Sequence, residues 1–212
     1  MNISFLSENV CDELDPLISN ITLVKENPIT DELQLSFIFE CYDWDNFSYE
    51  AYNSGTLTKR YFEVQCINCI ESTLAVGRFS DISLSDNHPL LFKYNLPHVQ
   101  LYFSSTPDNP YEVLGRIAEA HRTTYQDWRP MSDCINENII ETLSQGIGLF
   151  AQGPKIIMDE YYLATSDLLR LQVIENNYSK NYQLLLFSSG YIIFSDVSVV
   201  ELHDEQWNVK IL

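Results

Sequence analysis

Alternating apolar and polar residues predict β-strands near both ends of the chain. Apolar side chains occupy every second position from Leu33 to Cys41, and the same period of two returns from Val99 to Phe103. This period is typical of a strand that buries one of its faces. Similar but shorter runs predict further strands over residues 47–52, 59–70, 73–79, 90–94, 171–173, 183–187, 191–194, 197–202 and 207–212.

The middle of the chain has the spacing of amphipathic helices instead. Apolar residues recur every three or four positions over residues 114–125, as on the buried face of a helix. Asn109 is a suitable N-cap for this helix, and Pro110 suits its first turn. The same spacing predicts two more helices, over residues 135–143 and 157–168.

These elements predict an α+β fold, with an antiparallel β-sheet at both ends of the chain and a central helical insert packed on one face. No stretch with the composition of a linker interrupts the chain, so a single domain over residues 1–212 is expected. Its predicted parts are an acidic N-terminal arm (1–30), a β-meander (31–105), a helical segment (106–168) and C-terminal β-strands (169–212).

The net charge changes the picture of what the chain binds. It holds 30 Asp and Glu against 12 Lys and Arg, a formal net charge of −18 at pH 7, and residues 1–58 contain 11 acids with Lys25 as the one base. Such a surface repels phosphate groups, so neither nucleic acid nor an anionic membrane is an expected partner. A basic protein would be attracted. The simpler alternative is that the acidity only keeps the protein soluble.

The number of cysteines and the N-terminal residues indicate in which cellular compartment the protein is expected. Five cysteines is an odd number in a chain large enough to fold without disulfide bridges, which favours a reducing compartment. The first residues show no basic and apolar segments of a signal peptide, and no run reaches the roughly 18 apolar residues of a membrane span. The cytoplasm is therefore the expected location.

One motif resembles a metal or redox site without completing it. Cys66 and Cys69 have CxxC spacing, but they continue a predicted strand. Residues three apart on a strand point to opposite faces, so we expect the two thiols to diverge. No second CxxC and no pair of histidines at zinc spacing accompanies them. We therefore interpret them as structural cysteines and expect no metal.

Two further motifs are also incomplete. The segment from Gly146 to Ala151 fits GxGxxA, but it follows a predicted helix, whereas a dinucleotide site follows a strand. Gly146 is better explained as the end of that helix, and no cofactor is expected. The segment that begins at Asp43 resembles the start of a calcium loop, but Phe47 stands in its fifth position and no Glu stands in its twelfth. It is expected to be a turn.

One segment has the mixture of residues that protein-binding surfaces use. Aromatic side chains provide area for burial, and carboxylates around them attract a basic partner. The predicted partner-binding residues are Glu40, Asp43, Trp44, Asp45, Phe47, Tyr49, Glu50 and Tyr52. The alternative is that these aromatic residues alternate along a strand and face the core.

Positive charge concentrates on and after the helix predicted over residues 114–125. A carboxylate ligand, if any is bound, is expected there, on the possible ligand face formed by Arg116, His121, Arg122 and Arg129. His121 lies on the apolar side of that helix, where a hydrogen-bonded core histidine is the simpler explanation. No residue is predicted to be catalytic.

Three classes of function stay open. The first is an acidic cytoplasmic domain that occludes a basic partner, as immunity proteins and inhibitors of toxins or nucleases do; this comparison rests on charge and size. The second is a non-catalytic adaptor or assembly subunit whose acidity has no special role. The third and least favoured is an enzyme that uses His121 in a pocket with a carboxylate or cysteine. The oligomeric state is left open.

Overall fold

The computed structural model describes residues 8–10, 14–25, 33–176 and 180–202. The strands are β1 Leu17–Lys25, β2 Leu33–Tyr42, β3 Lys59–Ile67, β4 Glu71–Ser72, β5 Gly77–Arg78, β6 Ile82–Ser85, β7 His98–Phe103, β8 Gly148–Pro154, β9 Leu171–Asn176, β10 Gln183–Phe187, β11 Gly190–Phe194 and β12 Asp196–Leu202. The helices are α1 Tyr49–Ser54, α2 Phe92–Asn95, α3 Pro110–Tyr125, α4 Ile139–Gln145 and α5 Lys155–Thr165. All strand pairs are antiparallel, so the predicted α+β class is confirmed.

Contacts divide the chain into two compact units. The first unit comprises residues 1–86 and 182–212, and the inserted unit comprises residues 87–181. Each unit has a hydrophobic cluster of its own among the described residues. The prediction of one domain stays a prediction, because a domain can carry an insert in its chain.

The first unit contains two sheets. One has the order β12-β3-β2-β1-β5 and the other the order β4-β11-β10-β6. Phe37 of β2 and Phe187 of β10 meet edge to face, with ring centroids 5.8 Å apart, so both sheets contribute to one core. Within the predicted meander (31–105), β2 and β3 pair with each other in chain order, whereas β4, β5 and β6 pair with β11, β1 and β10.

The predictions for the first and last segments of the chain can be compared with the structure only in part. The predicted N-terminal arm contains β1, which pairs along β2 from Leu17 opposite Glu40 to Lys25 opposite Leu33. The remaining residues of the arm lie largely outside the described residues. The strand predicted over 207–212 lies entirely outside them.

The inserted unit has a three-stranded sheet of order β8-β7-β9. Val99, Leu101 and Phe103 of β7 pack in one cluster with residues of α3, α4 and α5. The insert interrupts the chain between β6 and β10, which are hydrogen-bonded neighbours with Ser85 opposite Leu184. The chain therefore leaves the first unit's sheet and returns to it on adjacent strands.

Local capping explains where the predicted helices begin and end. The Asn109 side chain accepts a hydrogen bond from the backbone N–H of Tyr111 at 3.1 Å, and Pro110 opens α3. Gly146, with φ of 78°, ends α4 in the left-handed conformation that glycine adopts without strain. The helix predicted over 157–168 is α5, which follows Pro154.

The structure departs from several local predictions, among them the strand predicted over 73–79, of which β5 covers only Gly77–Arg78. The strand predicted over 47–52 is instead α1, which Ser48 and Gly55 cap. Residues 90–94 form a 3-10 turn and the start of α2, because His88 caps the turn and Pro89 opens it. Strand β8, which lies between α4 and α5, was not predicted.

No helix in the described ranges is both long enough and apolar enough to cross a membrane.

Candidate functional site

Helix α1 is held in place by its two ends. The Ser48 hydroxyl accepts a hydrogen bond from the backbone N–H of Ala51 at 3.1 Å. At the other end, Gly55 has φ of 67° and its N–H bonds the carbonyls of Ala51 and Tyr52. None of the residues of α1 is buried. This helix is therefore held by its caps and ring contacts, and most of its side chains are exposed.

The aromatic residues predicted for partner binding separate into two groups. Tyr49 is 63% exposed and Tyr52 is 46% exposed, while Trp44 and Phe47 are partly buried against the first unit's core. The Phe47 ring lies 5.7 Å from that of Tyr49 and 6.3 Å from that of Tyr52. The Trp44 ring stacks on Phe62 at 5.7 Å. Tyr49 and Tyr52 are thus exposed to solvent, and both pack against the partly buried Phe47.

Arg60 organises the carboxylates beside these rings. Its guanidinium bonds Glu201 in a bidentate pair, with N–O distances of 2.7 and 2.9 Å. It also lies 3.2 Å from Asp45 and 3.7 Å from Asp43. The hydrogen bond to Glu201 raises the pKa of Arg60, and this outweighs the opposing effect of burial. One cation thus gathers three carboxylates.

Lys59 and Glu40 form the second ion pair of this region, at 3.0 Å. Burial lowers the pKa of Lys59, but the hydrogen bond and the charge of Glu40 more than offset it, so the pKa is raised. Two predicted acids, Asp45 and Glu50, remain outward: the Asp45 side chain is 73% exposed and Glu50 lies in the exposed first turn of α1.

The surface that results is called the tyrosine–carboxylate patch and comprises Asp43, Asp45, Tyr49, Glu50 and Tyr52. Together with the paired neighbours Glu40 and Glu201, the region holds five carboxylates against two cations, Lys59 and Arg60. The region therefore keeps an excess of negative charge after its internal ion pairs are satisfied.

The predicted ligand face on α3 is not a common exposed surface. His121 is 5% exposed. Arg116 bonds Glu112 at 2.7 Å and Asp167 at 2.9 Å, and these bonds raise its pKa. Arg122 is exposed, whereas Arg129 is partly buried and reaches the carbonyl of Leu90 at 3.4 Å.

His121 is hydrogen-bonded at both ring nitrogens. Nε2 lies 2.8 Å from the carbonyl oxygen of Arg129, which can only accept, so Nε2 carries a proton. In the neutral ring, Nδ1 then accepts from the Tyr161 hydroxyl, 2.8 Å away. The Tyr161 hydroxyl also interacts with the Cys134 thiol, an arrangement that the sequence did not reveal. Burial raises the pKa of Cys134 to about 12, so the thiol is protonated at neutral pH.

The two cysteines of the CxxC motif do not diverge as predicted. Cys66 and Cys69 are both buried in the first unit's core. Strand β3 ends at Ile67, and Asn68 adopts a φ of 50°, which turns the chain back so that Cys69 re-enters the core. Burial raises the pKa of both thiols. Among the described residues, no group of three or more potential ligands is placed to hold a metal ion.

The segment that begins at Asp43 is a turn. The Asp43 carboxylate accepts from the Asn46 side chain at 2.7 Å and from the backbone N–H of Asp45 at 3.2 Å. It thereby fixes the loop that leads from β2 to α1.

Comparison with known proteins yields no match, whether with family models, with curated proteins or with solved structures.

Proposed function

We propose that this protein is an acidic, cytoplasmic protein-binding domain that occludes a basic partner through the tyrosine–carboxylate patch. The observation that carries the proposal is the exposure of Tyr49 and Tyr52 on a capped helix that buries none of its residues. The Tyr52 ring contacts that of Tyr42 at 5.6 Å and the Tyr49 ring contacts that of Phe47, yet both tyrosines keep much of their area in solvent. A partner that covered this area would bury it.

The chemistry of the patch suits a basic surface. Tyrosine is enriched among the residues that dominate binding energy, because a rigid ring buries a large area and its hydroxyl keeps a hydrogen bond. The adjacent Asp45 and Glu50 can accept hydrogen bonds from Lys and Arg of the partner. Arg60, whose guanidinium carbon lies 4.1 Å from the centre of the Trp44 ring, shows the same combination of aromatic ring and carboxylates around a cation within this chain.

The distribution of charge supports attraction from a distance. The sequence of the first unit holds 19 Asp and Glu against 5 Lys and Arg, and that of the inserted unit holds 11 against 7. The acidic excess is concentrated in the unit that carries the patch. A field of this sign accelerates the approach of a basic protein. A partner whose Lys and Arg hold substrate phosphate, such as a nuclease or toxin, would be inhibited by occlusion of those residues.

A capture experiment from lysate of the host cell tests the proposal. The wild-type protein and the double variant Tyr49→Ala/Tyr52→Ala are immobilised, and Tyr111→Ala is the control because Tyr111 is 70% exposed and lies on α3. We expect a basic protein bound by the wild type and by the control, and binding at least about tenfold weaker to the double variant.

Salt provides the second readout. Binding should weaken steeply between about 0.01 M salt, where charges act over about 30 Å, and about 1 M, where they act over about 3 Å. Equal binding at both salt concentrations, or equal binding by the double variant, would contradict the proposal. A non-basic partner held at both salt concentrations would instead favour the adaptor or assembly subunit.

A further inference from the structure

A cavity of about 290 Å³ lies in the inserted unit, and none of its lining residues belongs to the patch. Its lining residues are Lys93, His98, Tyr125, Asp133, Cys134, Gln152, Gly153 and Pro154. A second cavity of about 420 Å³ shares His98, Gln152 and Gly153 with it. Lys93, His98, Asp133 and Gln152 bring charged and polar groups to the lining of the first cavity, so it is suited to a small polar molecule.

Two opposite charges stand in the lining of the first cavity. Lys93 and Asp133 are both exposed, and neither forms an ion pair with any residue in the described part of the chain. Both are close enough to the Cys134 thiol to act on its pKa, Lys93 lowering it and Asp133 raising it. Within the described part of the chain, the Lys93 ammonium group lies over the Tyr94 ring at 5.7 Å, and neither charge is neutralised by an ion pair. The cavity therefore offers one cation and one anion to a ligand.

The geometry of His98 adds an acceptor. Its Nε2 lies 2.7 Å from the backbone carbonyl oxygen of Lys93, which can only accept, so Nε2 carries the proton. In the neutral ring Nδ1 is then a hydrogen-bond acceptor. Gln152 contributes a side-chain amide, which bonds Gln100 at 3.4 Å through its oxygen.

The backbone behind these groups is closely packed. The backbone N–H of Gln152 bonds the carbonyl of Cys134 at 2.9 Å, which fixes β8 against the turn that carries Cys134. Gly153 has no side chain there, and a Cβ at this position would lie 3.2 Å from the Cys134 sulfur. Tyr125, Cys134 and Pro154 are buried and contribute apolar surface to the lining.

We propose that this cavity binds a free α-amino acid, whose carboxylate pairs with Lys93 and whose ammonium group pairs with Asp133 and the acceptor nitrogen of His98. A simple anion would meet the charge of Asp133, and a simple cation would meet the charge of Lys93. A zwitterion satisfies both at once. This site goes beyond the proposed function and does not depend on it, because it uses no residue of the patch.

Calorimetric titration of the full chain with free L-amino acids, one at a time, tests the proposal. Each amino acid that binds is compared with its N-acetyl derivative, which lacks the ammonium charge, and with its amide, which lacks the carboxylate. We expect both derivatives to bind at least about tenfold more weakly, since each loses one charge-assisted pairing.

Two variants assign the binding to the cavity. Lys93→Gln and Asp133→Asn each remove one charge from an exposed side chain, and we expect each to weaken binding at least about tenfold. Arg170→Gln and Asp127→Asn are matched controls, since they remove exposed charges of the same unit that do not line the cavity. Absence of binding by all free amino acids would overturn the proposal. So would derivatives that bind as tightly as the parent amino acid, or binding unaffected by both variants.

Discussion

The guanidinium carbon of Arg60 lies 4.1 Å from the centre of the Trp44 ring, while its nitrogens bond Glu201. This relationship joins three parts of the first unit: strand β3, the loop after β2 and strand β12. The same guanidinium approaches Asp43 and Asp45 at the start of the tyrosine–carboxylate patch. The shape of the candidate binding surface therefore depends on one cation in the sheet beneath it.

Arg60→Gln should lower the free energy of unfolding by about 2–3 kcal/mol, because it leaves partly buried carboxylates without their cation. Lys59→Gln is the matched control: it removes a more exposed cation that makes a single hydrogen bond to Glu40, and should cost less than about 1 kcal/mol. Urea unfolding of the two variants beside the wild type measures both values. Equal losses for the two variants would show that Arg60 does not organise this region.

Gly115→Ala should stabilise the protein. Gly115 lies inside α3, and a Cβ at this position would meet no atom within 4 Å. Alanine restricts the unfolded chain more than glycine, so the expected gain is about 0.5–1 kcal/mol. Thermal unfolding monitored by circular dichroism measures it, and a lower melting temperature would contradict the open surroundings described for this position.

Tyr161→Phe should destabilise the inserted unit by about 1–3 kcal/mol, because it leaves Nδ1 of the buried His121 without its donor. Tyr162→Phe is a suitable control, since Tyr162 is exposed on the same helix. Hydrogen exchange of the amides in α3 and α5 locates the loss. A loss of the same size in both variants would mean that the hydroxyl of Tyr161 contributes nothing specific.

Stability should fall as the pH rises above about 9, because burial raises the pKa of Cys41 from its ordinary value of 9.0 to about 12. Below pH 9 the folded and unfolded states both keep the thiol proton. Between pH 9 and 12 only the unfolded state loses it, so this thiol reduces the free energy of unfolding by about 1.4 kcal/mol per pH unit. Cys41→Ala should show a correspondingly shallower decline in urea unfolding from pH 8 to 11, and an unchanged decline would refute this assignment.

A smaller loss of stability is expected at acidic pH because of His88. Burial lowers its pKa, and its Nδ1 accepts the backbone N–H of Leu90 at 3.2 Å. As the pH falls through the unfolded-state value near 6.5, the unfolded state takes up a proton that the folded state resists, so stability decreases. His88→Asn keeps a capping acceptor without titrating. It should remove this part of the decline between pH 7 and 5, as measured by urea unfolding.

Elements specified by local signals could be predicted from the sequence. In strand β2, apolar residues at every second position indicate the buried face. For α3, Asn109 and Pro110 indicate where the helix begins. The aromatic residues over 47–52 suggest a strand with one buried face, but α1 buries none of its residues. Their spacing therefore carries no information about which face of the element is buried. The informative signals there were the caps, Ser48 and Gly55.

Features set by distant residues could not be predicted. Strand β8 is bounded by Gly148 and Pro154, which suggest a loop, and its pairing with β7 decides its conformation. Arg60 and Glu201 are 141 positions apart, so no local pattern links them. The composition of this segment suggests all four aromatic residues as candidates. That Tyr49 and Tyr52 are exposed while Trp44 and Phe47 are partly buried depends on the fold.

The position of the insert gives a test of the first unit by itself. Replacing residues 87–181 with Asn-Gly joins β6 to β10 through a short hairpin loop of Asn, Gly and Tyr182, because these strands already pair. We expect the shortened protein to keep its β-sheet circular dichroism and a cooperative unfolding transition. A shortened chain without cooperative unfolding would show that the first unit requires the insert.

The insertion between β6 and β10 also sets an order of events during synthesis. When β6 leaves the ribosome, its neighbour β10 has not yet been translated, and the whole inserted unit must be made first. At about 5–20 residues per second, the first unit waits several seconds with one sheet unfinished and apolar strands uncovered. The inserted unit, whose residues are contiguous, can fold during that delay. Newly made chains should therefore depend on chaperones most strongly in the interval before residues 182–202 emerge.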